Sequence, residues 1–418
     1  MDRTQAPALS AITAIDFVAP NIIPINKHVN LYHMPHVPND TARFDLYFDA
    51  GKIRNQQSLA SFVNGLLFSG TKEKSSVEIS AAINGLGGFL DSGLSAENAV
   101  ISMYCLKEHL VELYDILLDA ISNVSFREEE VNDLLTDRKQ KLNISREKVS
   151  YLAQSNFQKE LFASDERYNK VLEDDHFELV TQDDLISFHE EFVLKGLQRV
   201  VVVGDISRED ISTIATKAQD LAIVKKGEFA ETLQNKVGRK HIEKEGALQS
   251  AIRVGRTLFN KQHEDYHDFL ILNTILGDYF GSRLMSNIRE DKGYTYGIGS
   301  MVAEFNNTGY FLIATEVGTD VRENALNEIN FELERLRNEL VPEEELSLVR
   351  NYMRGQLLKS ADGPYAMTDL YLSAILQGKD LDFYNEALKA INAITPERIQ
   401  ELAKKYLQWE QMTIVSAG

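Results

Sequence analysis

The sequence predicts an α+β protein of two homologous domains, each a mostly antiparallel sheet with helices packed on one face. Three observations carry this. At 418 residues the chain is too long for one ordinary core. Strand-like alternation and helical periodicity succeed each other in the same order in both halves. The third is a constant offset between matching strings. Val180-Thr181-Gln182-Asp183-Asp184-Leu185 matches Ile394-Thr395-Pro396-Glu397-Arg398-Ile399 at 214 residues, as Gly204 matches Gly418 after its own apolar run. Glu128-Glu129-Glu130 and Glu343-Glu344-Glu345 lie 215 apart.

Residues 27–50 read as two strands, the second placing Phe44, Leu46 and Phe48 on one face before Gly51 ends it. Helices follow at 58–68 and 76–84, and Gly85-Leu86-Gly87-Gly88 makes a turn. That turn is no phosphate loop, since no Lys-Ser/Thr follows it. A strand covers 99–106, and Leu110, Leu113, Tyr114, Leu117 and Ile121 recur at helical spacing. Ser125-Phe126-Arg127-Glu128 reads as a capping box opening a long helix to about Leu161. After a loop-rich stretch come a helix over 181–193 and a strand over 199–204. The polar segment 222–246, with Lys225-Lys226, reads as a linker between domains 1–221 and 247–418. Beyond it a strand covers 250–258, an apolar helix 269–279, and a hairpin turns at Asn306-Asn307 between 296–303 and 309–315. A helix spans 321–337, and Pro342 opens another.

Composition excludes several classes. A net charge of −19 argues against nucleic acid, whose phosphates need a basic face. The single cysteine, Cys105, allows no intrachain disulfide and reads as a buried, inert thiol. Met1-Asp2-Arg3-Thr4-Gln5 does not open a secretory signal, and no apolar run is long enough for a bilayer. A cytoplasmic protein is expected, or a periplasmic one if an upstream segment has been removed.

Two strings carry the chemistry. One is Ser58-Leu59-Ala60-Ser61-Phe62-Val63-Asn64-Gly65-Leu66-Leu67-Phe68-Ser69-Gly70-Thr71, and the other runs from Ser282 through Arg289 and Tyr296 to Gly297. On spacing alone, Arg289 and Tyr296 could serve only a helix end and a sheet. They could equally be donors gripping a peptide carbonyl or an oxyanion. With the duplication, these strings make the chain resemble the pitrilysin/insulinase family of inverted-motif zinc peptidases, the mitochondrial processing peptidase and its smaller bacterial relatives being nearest in layout. The resemblance spans nearly the whole chain. In active members the first string carries H-x-x-E-H, two zinc ligands and a general base, with a third ligand, a Glu, about 76 residues further on. Here the histidine positions hold Ser61 and Gly65, the base position holds Asn64, and the counted ligand position holds Lys141. Such a set is expected to bind no zinc.

The second string is kept, with Arg289 and Tyr296 on the positions where the family's Arg and Tyr reach the substrate. The family includes two-chain enzymes that divide zinc and Arg/Tyr between subunits. The resemblance therefore implies a zinc-free subunit of a clamshell heterodimer, with zinc on a homologous H-x-x-E-H partner and peptides or small unfolded proteins as substrates. Arg283 is either a structural ion-pair partner or a supporting substrate contact. The glycine-rich loop of the mitochondrial enzyme's noncatalytic subunit is missing, which argues against presequence processing. A scaffold protein of the same fold is the alternative, and the chain could pair with itself when its partner is absent. A third reading rests on the literal H-E-x-x-H at His263-Glu264-Asp265-Tyr266-His267, with Glu290 as third ligand. It is disfavoured, because His263 falls in a polar loop and Asp265 reads as an N-cap. His189, in a Glu-rich amphipathic helix, is read as solvated.

Overall fold

The computed structural model describes residues 14–35, 39–54, 58–222, 227–230 and 232–418. The amino-terminal residues read for a signal and Lys225-Lys226 of the expected linker lie outside these. The first sheet orders its six strands β1-β2-β6-β3-β5-β4. They are β1 (Asn21–Pro24), β2 (Asn30–Met34), β3 (Thr41–Phe48), β4 (Phe89–Leu94), β5 (Ala99–Leu106) and β6 (Leu197–Val203). The second sheet is β7-β11-β8-β10-β9. Its strands are β7 (Gly238–Ile242), β8 (Gln249–Leu258), β9 (Ile298–Glu304), β10 (Gly309–Gly318) and β11 (Thr413–Ala417). The hairpin at Asn306-Asn307 is present, closed by Phe305 N donating to Thr308 O. Each sheet holds one parallel pair, β2–β6 and β7–β11, so the sheets are mixed. β7 also turns the end of the expected linker into a strand of the second sheet.

Helices of the first half are α1 (Leu59–Leu66), α2 (Ser76–Gly85), α3 (Leu110–Ser122), α4 (Glu128–Arg146), α5 (Val149–Leu161), α6 (Glu166–Asn169), α7 (Asp175–Glu178), α8 (Gln182–Phe188) and α9 (Arg208–Lys217). The second half adds α10 (Tyr266–Leu276), α11 (Arg322–Asn338), α12 (Glu343–Ser360), α13 (Pro364–Ile375), α14 (Asp382–Ala393) and α15 (Pro396–Tyr406). The expected capping box at Ser125 is absent. Ser125 Oγ donates to Gly70 O, Phe126 adopts φ 45°, and Arg127 occupies the N-cap. The long helix expected to Leu161 is two helices, broken at Glu147-Lys148. In the second half the matching break falls at Gly363, φ 89°, with Pro364 opening α13.

Those breaks let the halves exchange a helix. α5 leaves its own half and packs on β8 and β11 of the second sheet, while α13 packs on β6 of the first. Ala153 meets Ala251 and Ala417 in one small-residue contact, and a Cβ on Gly255 would stand 2.9 Å from Phe157 Cζ. In return Tyr371 and Leu372 cover Met34, Val201 and Val203. Val200 and Val202 point the other way, into the first half's main core. Helices on one face only was therefore an incomplete expectation, since both faces of β6 are buried, the reason its valines run without alternation. Polar contacts repeat the exchange. Arg43 of β3 bonds Asp369 of α13, and Arg253 of β8 bonds Gln154 of α5 at 3.0 Å. Among the described residues no helix is long and apolar enough to cross a membrane.

Candidate functional site

The face of α1 where inverted-motif ligands would stand presents Ser61, Asn64 and Gly65, spaced to share one side of the helix. Asn64 Oδ1 is buried without a hydrogen-bond partner. A Cβ built on Gly65 would lie 3.0 Å from Leu134 Cδ1 and 3.3 Å from Arg138 Nη2, both on α4. Arg138 makes no hydrogen bond or ion pair among the described residues. Lys141, the residue reached by counting, pairs instead with Asp137 at 2.7 Å on an exposed face. The cation against the degenerate motif is thus Arg138, about one helical turn earlier. An amide, a hydroxyl and a bare backbone with a guanidinium close to the last suit no divalent zinc, whose ligands are imidazole, thiolate or carboxylate.

The second string is built differently. Arg289 lies in a π-helical segment, Met285–Asp291, a widened turn often found at functional sites. Its guanidinium sits 4.9 Å from the ring centre of Phe280, itself exposed, and has no ion-pair partner among the described residues. Phe280 beneath it went unnoticed in the sequence, for an aromatic nine residues upstream gives no periodic signal. Gly293, at φ 66°, and the Tyr294 N to Ile288 O bond turn the chain out of the segment. Thr295 Oγ1 then pins the loop, accepting from Gly297 N and lying 2.7 Å from Glu316 O. Tyr296 projects from this pinned loop with 94% of its surface exposed, immediately before edge strand β9. It lines a cavity of about 420 Å³ with Gln249, Arg253 and Glu316, which Arg289 does not line.

Arg283 stands apart from that pair. Its Nε and Nη2 each donate to Glu345 at 2.9 Å, a bidentate ion pair between a buried guanidinium and a half-buried carboxylate that joins it to α12. It borders a different cavity, of about 610 Å³, with Asn287, Glu332 and Glu345.

The literal H-E-x-x-H does not lie on one helix, since α10 begins only at Tyr266. His263 precedes α10, stacks on Phe259 at 4.1 Å and accepts from Asp265 N through Nδ1. His267 lies in the first turn of α10 against Phe383, where burial holds its imidazole down to about 4. Among the described residues no group of three or more His, Cys, Asp or Glu is placed to hold a metal. Asp265 occupies the N-cap position but makes no side-chain cap. Burial raises its carboxyl, yet hydrogen bonds from Lys405, Tyr406 and Arg398 outweigh that and hold it at about 2. His189 is corrected outright. It is buried, its Nε2 lies 2.7 Å from Ile121 O, and desolvation keeps its pKa below the usual imidazole range. Leu185 and His189 lie four residues apart on one buried helix face, so helical spacing favours burial and the neighbouring Glu190 and Glu191 misled the solvated reading. Cys105 is buried as expected, its thiol pushed up to about 12 by desolvation.

Residues 33–175 match the model of the insulinase family, peptidase family M16, and residues 179–353 match that of the M16 inactive domain. The chain belongs to this family. The second match begins before β6, so it straddles the last strand of the first sheet. An uncharacterized zinc protease of Bacillus subtilis is 25% identical, the alignment covering 83% of this chain and 85% of that protein. A non-peptidase homolog of Helicobacter pylori is 24% identical over 86% of this chain and 84% of its own. A probable inactive metalloprotease of Bacillus subtilis is 22% identical over 47% of each chain. Among solved structures, a peptidase M16 inactive domain from Pseudomonas fluorescens superposes with TM-score 0.86 at 20% identity, covering 96% of this chain and 98% of its own. These structural likenesses speak for the M16 fold.

Proposed function

We propose that this M16 chain is the zinc-free subunit of a heterodimeric metallopeptidase and supplies Arg289 and Tyr296 to substrate bound at a partner's zinc. The observation that carries this reading is the contrast between its two strings. Ser61, Asn64 and Gly65 offer no ligand set and Arg138 closes on Gly65, whereas Arg289 and Tyr296 remain without hydrogen-bond or ion-pair partners among the described residues. A phenol 94% exposed on a pinned loop has its hydroxyl free for a partner or a substrate. Arg283 serves in support by fixing the π-helical segment to α12 through Glu345, rather than by touching substrate. The partner is a homologous H-x-x-E-H chain closing a clamshell chamber, and the substrates are peptides or small unfolded proteins. An extended peptide would add to a sheet edge of the zinc-bearing subunit, with backbone hydrogen bonds giving affinity.

A scaffold role is the second reading, favoured by the names of two relatives, a non-peptidase homolog and a probable inactive metalloprotease. Reconstitution separates the two. Mixing the chain with a zinc-bearing homologue should give peptide hydrolysis that neither chain shows alone. A partner equally active without this chain would leave only the scaffold reading.

A further inference from the structure

Three arginines are buried among the described residues: Arg43, Arg199 and Arg283. Arg43 meets Asp45 and Asp369, and Arg283 meets Glu345. Arg199, 8% exposed, meets no carboxylate among the described residues. Its Nη2 reaches only Gln198 Oε1, at a long 3.3 Å, and its Nε has no partner. The Tyr47 ring lies 4.5 Å away and offers its face, which softens but does not neutralise a buried cation. Burial lowers the guanidinium to about 10, with only Tyr47 and Tyr32 acting against it.

Arg199 borders a cavity of about 160 Å³ where the two halves of the chain meet. The β1–β2 turn contributes His28, β2 and β6 contribute Asn30 and Gln198 from the same side, and the β9–β10 turn contributes Asn306 from the other. Among the described residues no Asp or Glu lines it. Asn30 is the register partner of Arg199 across the parallel pair, and its side-chain amide makes no hydrogen bond among the described residues. At ~30 Å³ for each water, the space is about five waters, enough for a phosphate-sized ion and too small for a nucleotide.

We infer that this cavity binds a small oxyanion, held by the Arg199 guanidinium with the Asn30 amide and the His28 ring, at the joint between the halves. Charged, delocalised oxygens match the planar donor fork of arginine. Two sources share this chemistry, free phosphate and the terminal carboxylate of a peptide.

Thermal melts and calorimetric titrations of the full chain test the site, with inorganic phosphate against chloride at matched ionic strength. A second arm compares one short peptide as free acid and as amide. At about ten times Kd the melting temperature should rise by roughly 2 °C. Arg199→Met should abolish the response. Asn30→Asp, which places a carboxylate opposite the guanidinium, should abolish it too while leaving the chain folded, so the test survives if Arg199→Met fails to fold. A response to phosphate alone identifies the inorganic ion, and one to the free-acid peptide alone identifies a carboxylate. No response from either ligand, or one retained in Asn30→Asp, overturns the inference.

Discussion

Tyr296→Phe, assayed with a zinc-bearing partner, is expected to lower kcat on the order of 10²-fold, with the zinc content of the complex unchanged. The substitution removes one hydroxyl from a side chain that is 94% exposed and makes no hydrogen bond among the described residues. Stability should therefore stay within about 0.5 kcal/mol of wild type, as for surface changes away from special features. That separation matters, because a lost rate cannot then be blamed on misfolding. Arg289→Gln should act in the same direction while keeping the stem over Phe280. If the phenol stabilises an oxyanion that exists only in the transition state, kcat and kcat/KM fall together and KM holds. Wild-type turnover from Tyr296→Phe would remove Tyr296 from the chemistry.

How far the sequence disclosed this molecule depended on whether a signal was local. The duplication was legible because Glu128-Glu129-Glu130 and Glu343-Glu344-Glu345 open helices that occupy equivalent places. Strand β3 was legible because one face is core and the pattern alternates. The helix exchange was not. In the second half Gly363-Pro364 marks the break before α13, but the first half breaks at Glu147-Lys148, ordinary helix-forming residues. The break there follows from tertiary packing, as Ala153 and Phe157 find the second sheet. Counting 76 residues on from Gly65, as the family resemblance implied, likewise pointed to Lys141, whereas the side chains that reach Gly65 are those of Leu134 and Arg138. Spacing rules inherited from a family fix a neighbourhood, and only the helix crossing decides which side chain arrives.

Phe157→Ala should destabilise the chain by about 3–5 kcal/mol, measured by urea unfolding followed by circular dichroism. Phe157 is fully buried, yet its cavity is walled by Leu312 and Val415 of the other half. The close approach at Gly255 leaves rigid backbone beside it, so the site has little freedom to collapse. Leu372→Ala, on the reciprocal helix, should cost about 2–5 kcal/mol against Val201 and Val203. Because each half supplies a helix to the other's sheet, both variants should shift one shared transition. Two separate transitions, or a loss under about 1 kcal/mol from Phe157→Ala, would mean that α5 is a loosely docked arm.

The proposal as a whole stands on the metal lying elsewhere. Equilibrium dialysis of the isolated chain against zinc, followed by elemental analysis, should find far less than one ion per chain, since Ser61, Asn64, Gly65 and Arg138 offer zinc no favourable donor set. One tightly held zinc per chain, lost on Asn64→Ala or on His267→Ala, would contradict it.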